Sequence, residues 1–198
     1  ARREDVIKLA AKHDIFLIED RVYGFLSDDP PLAARAGDHC LVIDSLSKRI
    51  APGAAVGFLH VPPRLRDKVA TTVRAGAWSA SALALDVGVR LMADGTAAEI
   101  ARQKRSDAKR RQAIVAKCLP GYEIEADQRS YHTWLHLPDG WPSEAFAAAA
   151  ARCGISLTPS SAFTVAPGHA PNAVRLALGL PTHEELRFAA TKLAQLLA

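Results

Sequence analysis

Apolar and polar positions change their period several times along the chain, and each change predicts an element. Val6, Ile7, Leu9 and Ala10 recur at helical spacing within residues 3–12. Three short apolar runs follow: Ile15-Phe16-Leu17-Ile18, Leu41-Val42-Ile43 and Val56-Gly57-Phe58-Leu59. An unbroken apolar run of this length predicts a strand buried on both faces of a parallel sheet. Such strands, separated by helices or long connections, predict an open α/β sheet. Chemistry in these sheets collects at the carboxyl ends of strands. Glu19-Asp20 closes the first run, and Ser45-Leu46-Ser47-Lys48 follows the second.

Beyond Pro62-Pro63 the pattern turns helical. Residues 64–75 and 79–94 read as helices, with Gly95 as the break. Residues 96–118 read as a long polar and basic helix closed by Pro120-Gly121. Short strand-like pieces then appear at 122–124, 131–137, 155–158 and 174–178, with helices at 143–152 and 183–197. The pattern predicts three segments: residues 1–75 around the first sheet, a helical connection at 76–118, and a smaller α/β domain at 119–198 with a mostly exposed sheet face. No fixed-period repeat is present, and the alanine-rich 145–151 is the one compositionally biased tract.

Composition narrows the class. The 198 residues are 49% hydrophobic and 23% charged, which excludes disorder. The net charge of +4 is concentrated in Arg102, Lys104, Arg105, Lys109, Arg110, Arg111 and Lys117. This run reads as the solvated face of the long helix, with contact to DNA phosphates as the alternative. Cys40, Cys118 and Cys153 are scattered and form no CxxC pair, which predicts reduced, mostly buried thiols in a cytoplasmic protein. No apolar run approaches the roughly 20 residues of a membrane helix. The opening ARREDVIKLA reads as helix and not signal peptide, and it starts in mid-element as though cut from a longer sequence.

Three features carry candidate chemistry: Asp20-Arg21-Val22-Tyr23 at a strand end, Ser45-Leu46-Ser47-Lys48 followed by Pro52-Gly53, and Arg175 alone in the apolar strand Val174-Arg175-Leu176-Ala177-Leu178. Singly each has a plain reading: a turn or helix start opened by Asp, a solvated loop lysine, and an edge arginine whose stem reaches solvent. In this order they resemble the fold-type I pyridoxal-phosphate enzymes of the aspartate aminotransferase superfamily. IEDRVYGFL resembles that family's strand-end Asp-x-x-Tyr, DSLSKRIAPGAAVGFL its cofactor-lysine segment, and NAVRLALG its carboxylate-binding arginine segment.

The resemblance implies the second half of a fold-type I large domain, with a mostly parallel sheet, joined to a small C-terminal α/β domain. It implies that Lys48 condenses with the aldehyde of pyridoxal 5'-phosphate and then shuttles a proton, a task that requires neighbours to lower its pKa. Asp20 is implied as partner of the pyridine nitrogen, Tyr23 of the phenolate oxygen, and Ser45 and Ser47 of the phosphate. Arg175 is implied to grip the ligand's carboxylate through two parallel hydrogen bonds. Two departures stand out. The family's phosphate-binding arginine, seven residues after the lysine, is replaced by Ala55, with Arg49 as a candidate substitute. The family's glycine-rich phosphate turn, stacking aromatic and asparagine have no counterpart before Asp20.

The stretches RREDVIKLAAKHDIFLIED, SAFTVAPGHAPNAVRLALGLP and THEELRFAATKLAQLL resemble the MocR group of GntR-type transcription regulators. That resemblance implies a ligand-sensing domain, a homodimer, an amino-acid or amine ligand with a carboxylate, and DNA contact through an N-terminal winged helix absent from this chain. A free-standing aminotransferase is the alternative, and a cofactor-free structural or dimerisation domain is the third reading. His132 and His136 share one face of a predicted strand, but no nearby residues complete a metal set, so no metal site is expected. Trp78, Trp134 and Trp141 are expected to pack, Trp134 into the small domain's core. Asp28-Asp29-Pro30-Pro31 reads as a loop before a short helix.

Overall fold

The computed structural model describes residues 2–76, 79–165 and 170–198. Trp78 and part of the SAFTVAPGHAPNAVRLALGLP stretch therefore lie outside the described residues. The chain divides into two units, Ala1–Lys104 and Arg105–Ala198.

In the first unit, helix α1 (Arg2–Lys12) leads into strand β1 (Leu17–Asp20), the one-turn helix α2 (Ala33–Ala36) and strand β2 (Cys40–Ser45). Helix α3 (Leu46–Arg49) follows directly, then strand β3 (Gly57–His60), helices α4 (Arg66–Gly76) and α5 (Ala82–Ala93), and the start of α6 (Thr96–Cys118). The sheet order is β1-β2-β3. β1 and β2 run parallel, with Asp20 opposite Ile43, while β3 returns antiparallel with Leu59 opposite Ile43. Residues 46–56 are too few for a crossover, which needs a dozen or more residues, so β3 can only turn back.

The alternation of strand side chains puts Ile18, Asp20, Ile43, Ser45 and Leu59 on one face. Two-sided burial of these strands was the expectation, and it does not hold among the described residues. Cys40 on the opposite face is fully buried, whereas Ile18 is 67% exposed and Ile43 and Leu59 about 40%. An apolar run reports the setting a strand demands; it does not say which segment covers it. Leu9, Leu83 and Val89 are also exposed, so this unit carries much uncovered apolar surface.

The second unit begins within α6 and continues through strands β4 (Ile124–Ala126) and β5 (His132–His136), helix α7 (Ser143–Arg152), strands β6 (Thr158–Pro159) and β7 (Ala173–Ala177), and helix α8 (His183–Leu197). The sheet order is β4-β5-β7-β6, antiparallel throughout. Val115, Leu119, Leu135, Phe146, Val174 and Leu193 form its core, each at most 2% exposed. α8 opens on a capping box: the Glu185 amide donates to Thr182 Oγ1 (3.2 Å) and the Thr182 amide to Glu185 Oε2 (2.7 Å).

Trp134 corrects an expectation. Thr133 and Leu135 face the core, so Trp134 shares the other face with His132 and His136. There it meets the Phe163 ring edge-on at 5.3 Å. Trp141 does pack on the core, edge-on to Phe146 at 5.4 Å. The thiols also differ from expectation: Cys40 is buried, Cys118 intermediate and Cys153 exposed. No described helix is long and apolar enough to cross a membrane.

Candidate functional site

Asp20 ends β1 and Ser45 ends β2, so both lie at the carboxyl edge of the parallel pair and on the same face. Strand spacing and rise place their Cα atoms about 8 Å apart. The Asp20 carboxylate turns the chain after β1 by accepting the Val22 amide at Oδ1 (2.9 Å). The Arg21 amide still donates to Ile43 O (2.7 Å), which holds that turn against β2. Tyr23, 39% exposed, precedes a short turn at Gly24–Leu26 that buries Phe25 and Leu26.

Ser45 ends the neighbouring strand at that same edge. Its Oγ accepts the Ser47 amide (3.0 Å) and caps α3, the single helical turn that carries Ser47 and Lys48. Leu46, 1% exposed, pins the turn, and its amide donates to Val56 O (3.0 Å). Ser47 Oγ donates to Ala54 O (3.3 Å). Lys48 and Ala55 are exposed. Asp20, Tyr23, Ser45, Ser47 and Lys48 thus all belong to the first unit, on two segments that meet at one sheet edge.

Arg49 is engaged through one end of its guanidinium, and its Nε is buried with no partner among the described residues. Its Nη2 donates to Asp44 Oδ2 (2.6 Å), and its guanidinium carbon stands 5.7 Å from the centre of the Phe25 ring. Arg21, unremarked in the sequence, ties the loop between β1 and α2. It reaches Glu19 Oε1 (3.4 Å) and Asp29 O (3.0 Å), while Glu19 Oε2 accepts the Leu32 amide (2.7 Å).

Arg175 belongs to the second unit. It pairs with Trp134 on β5 and Thr158 on β6, on the face away from the core. Its Nη2 is 3.4 Å from Thr158 Oγ1, and its guanidinium carbon lies 4.7 Å from the Phe163 ring centre. Its Nε is buried with no partner among the described residues. A buried guanidinium donor left open is the feature expected where a bound carboxylate completes the set.

The basic run at 102–117 is only partly a solvated face. Lys109, Arg110 and Lys117 are exposed, and Arg102 pairs with Glu99 (2.6 Å). Arg111 turns inward, donating to Asp107 Oδ2 (2.6 Å), Leu178 O (2.5 Å) and Pro181 O (2.6 Å). Asp107 also accepts from the Tyr131 hydroxyl (2.9 Å) and lies 2.7 Å from His183 Nε2. Burial pushes the Asp107 carboxyl up, but hydrogen bonds from Arg111, Tyr131 and His183 outweigh it and hold the group below its usual value. Burial and the same carboxylate push the Tyr131 phenol up. Lys104, in the first unit, donates to Lys48 O (2.9 Å) and Ile50 O (3.2 Å). Sequence reasoning missed both roles.

Residues 1–193 match the family described as aminotransferase class I and II. The uncharacterized HTH-type transcriptional regulator YdeF of Bacillus subtilis (strain 168) is 27% identical over 187 residues, covering 93% of this chain and 40% of YdeF. YdcR of Escherichia coli (strain K12), also an uncharacterized HTH-type transcriptional regulator, is 25% identical over 175 residues, covering 82% of this chain and 37% of YdcR. Among solved structures, an archaeal alanine:glyoxylate aminotransferase superposes with a TM-score of 0.87 at 23% identity, over 99% of this chain and 51% of that one. The α-aminoadipate aminotransferase LysN of Thermus thermophilus, complexed with N-(5'-phosphopyridoxyl)-L-leucine, does so at 0.84 and 19%, over 98% and 53%. The chain therefore spans about half the length of these structures and about 40% of YdeF. Its α/β architecture is the fold-type I aminotransferase fold, and the chain belongs to the aminotransferase class I and II family.

Proposed function

We propose that this chain is the aminotransferase-like, ligand-sensing domain of a MocR/GntR-type transcription regulator, and that it holds pyridoxal 5'-phosphate at Lys48. The observation that carries the cofactor reading is the shared sheet edge: Asp20 and Ser45 end parallel neighbours on one face, and the turn bearing Lys48 starts immediately after. The regulator reading rests on the HTH-type relatives YdeF and YdcR, which match most of this chain with well under half of their own length.

The donor set fits the cofactor. Lys48 offers an exposed primary amine to its aldehyde, and Asp20 Oδ2, without a hydrogen bond among the described residues, is available to a protonated ring nitrogen while Oδ1 accepts from Val22. The Ser45 Oγ accepts one bond and still has its hydrogen to give to a phosphate oxygen. Ser47 reaches a phosphate by giving up its long bond to Ala54 O. Tyr23 supplies the phenol for the ring oxygen. When bound, the cofactor supplies an electrophilic carbon and an electron-withdrawing ring. Arg175 takes the carboxylate of an amino acid or carboxylated amine, its open Nε supporting that role. Residues 1–75 are then part of the cofactor-binding domain, 76–118 the helical connection and 119–198 the small domain. The working protein is a cytoplasmic homodimer that touches DNA through a winged helix outside this chain.

The test uses the complete regulator. Titration with pyridoxal 5'-phosphate is expected to raise a visible absorption band that Lys48→Ala lacks, and a carboxylated amine is expected to change operator affinity. A spectrum that stays flat through the titration refutes the cofactor reading. A free-standing aminotransferase is the second reading, favoured by a catalytic set in which Lys48, Asp20 and Arg175 are all present. Turnover of an amino acid with a keto acid, without any effect on DNA binding, selects it.

A further inference from the structure

We infer that Lys104 is a positioning residue for Lys48, acting through the backbone of the turn that carries it; this rests on the reading of Lys48 as the cofactor lysine. α3 is one turn long, and a helix that short does not hold its shape unaided. Its final carbonyls point away from the capping Ser45, and the Ile50 amide closes only the first of them, Leu46 O (2.7 Å). The Lys104 ammonium, arriving from α6, donates to Lys48 O (2.9 Å) and Ile50 O (3.2 Å) together. A cation at the carboxyl end of a helical turn is also electrostatically favoured.

The same ammonium stands 5.8 Å from the centre of the Phe25 ring, which Arg49 approaches at 5.7 Å. Phe25 is 4% exposed and lies two residues beyond Tyr23, on the segment that Asp20 begins. Lys104, Phe25 and Arg49 therefore join the Asp20–Tyr23 segment to the Lys48 turn on its buried side. The Lys48 side chain is left exposed while its backbone is held. Burial pushes the Lys104 ammonium below the usual lysine value, a cost that an idle surface lysine does not bear.

The experiment compares Lys104→Met, Lys104→Gln and Lys104→Arg in the complete protein. Two readouts are used: hydrogen exchange without cofactor, and borohydride trapping of pyridoxal 5'-phosphate on Lys48 followed by mass spectrometry. Lys104→Met is expected to raise exchange about tenfold at residues 46–50 and leave the 131–137 amides unchanged, with trapping at Lys48 about tenfold weaker. Lys104→Arg, which keeps two donors and the charge, is expected to restore most of both. Lys104→Gln is expected to fall between them, and it decides the matter if Lys104→Met does not fold. Wild-type exchange and trapping in Lys104→Gln and Lys104→Met overturn the inference. A loss of protection spread over the whole chain also overturns it, since that marks general stability and not positioning. If wild-type protein itself traps no cofactor, the cofactor reading fails, and the exchange comparison alone still decides whether Lys104 orders the turn.

Discussion

Gly88 lies in the middle of α5, where intrinsic propensity favours alanine by about 1 kcal/mol. A substitution to alanine would therefore be expected to stabilise the protein if the site had room. It has none. A Cβ built on Gly88 stands 2.6 Å from Leu46 Cδ1, far inside van der Waals contact. Leu46 could relieve the clash by changing rotamer if it were free, but it is 1% exposed and opens α3. Overpacking of this kind costs about 1–3 kcal/mol. Against the propensity gain, Gly88→Ala is expected to destabilise by about 1 kcal/mol on balance.

The clash falls on one atom, so shortening that side chain should relieve it. Leu46→Val alone removes buried packing and costs about 1 kcal/mol. Combined with Gly88→Ala it should cost less than the sum of the two, with a coupling of about 1 kcal/mol in a double-mutant cycle. Urea unfolding of the four proteins measures each term, provided the slopes agree. Gly88→Ala proving more stable than wild type, or the two changes simply adding, refutes the argument that Leu46 and α5 meet as described. Because Leu46 begins the turn bearing Lys48, Gly88→Ala is also expected to weaken cofactor trapping at Lys48.

The remaining predictions concern charge and chemistry. Asp107 is held below its usual carboxyl value, so its stabilisation is present above the unfolded carboxyl pKa of about 3.9 and is lost as pH falls through the folded value. Asp107→Asn should cost about 1–3 kcal/mol at neutral pH, with the gap from wild type closing below about pH 4 in acid-unfolding curves. Tyr131 is raised, so its contribution holds below about pH 10 and declines as pH rises towards the folded value. Tyr131→Phe should flatten the alkaline limb of the same curves. A thiol reagent should label exposed Cys153 in the native protein and spare Cys40, whose thiol is pushed up by burial and then by Glu19, until denaturant is added. Ala55→Arg, restoring the charge that the family places there, should tighten cofactor binding by about ten- to a hundredfold in a spectral titration.

Much of the fold was legible because its signals are local. The helices at 143–152 and 183–197 follow from apolar spacing, the second opening on its capping box, and the break at Gly95 from the left-handed φ of +84° that glycine tolerates there. The positions of Asp20, Ser45 and Lys48 at or just after strand ends were legible because such ends are marked by where an apolar run stops. Strand facing was harder to read. β5 alternates strictly, but its two faces carry Thr133 and Leu135 against His132, Trp134 and His136, and size alone puts Trp134 on the wrong side. What decides is the neighbouring strand: Trp134 stands opposite Arg175, and a guanidinium is kept out of an apolar core.

The basic run shows the same limit more sharply. Counted by charge, residues 102–117 form a polar helix. Counted by spacing, Ala97, Ala101, Ala108, Gln112, Val115 and Leu119 form a buried stripe at intervals of three, four and, once, seven, and Lys104 falls in that longer gap, three after Ala101 and four before Ala108. A lysine on a stripe of small residues has room to run its stem along the helix and must find acceptors for its head. The last carbonyls of a short helical turn are acceptors of that kind, and Lys104 meets two of them, Lys48 O and Ile50 O. Charge content hid this role because it averages over the helix, whereas position on the stripe fixes which of the cations turns inward.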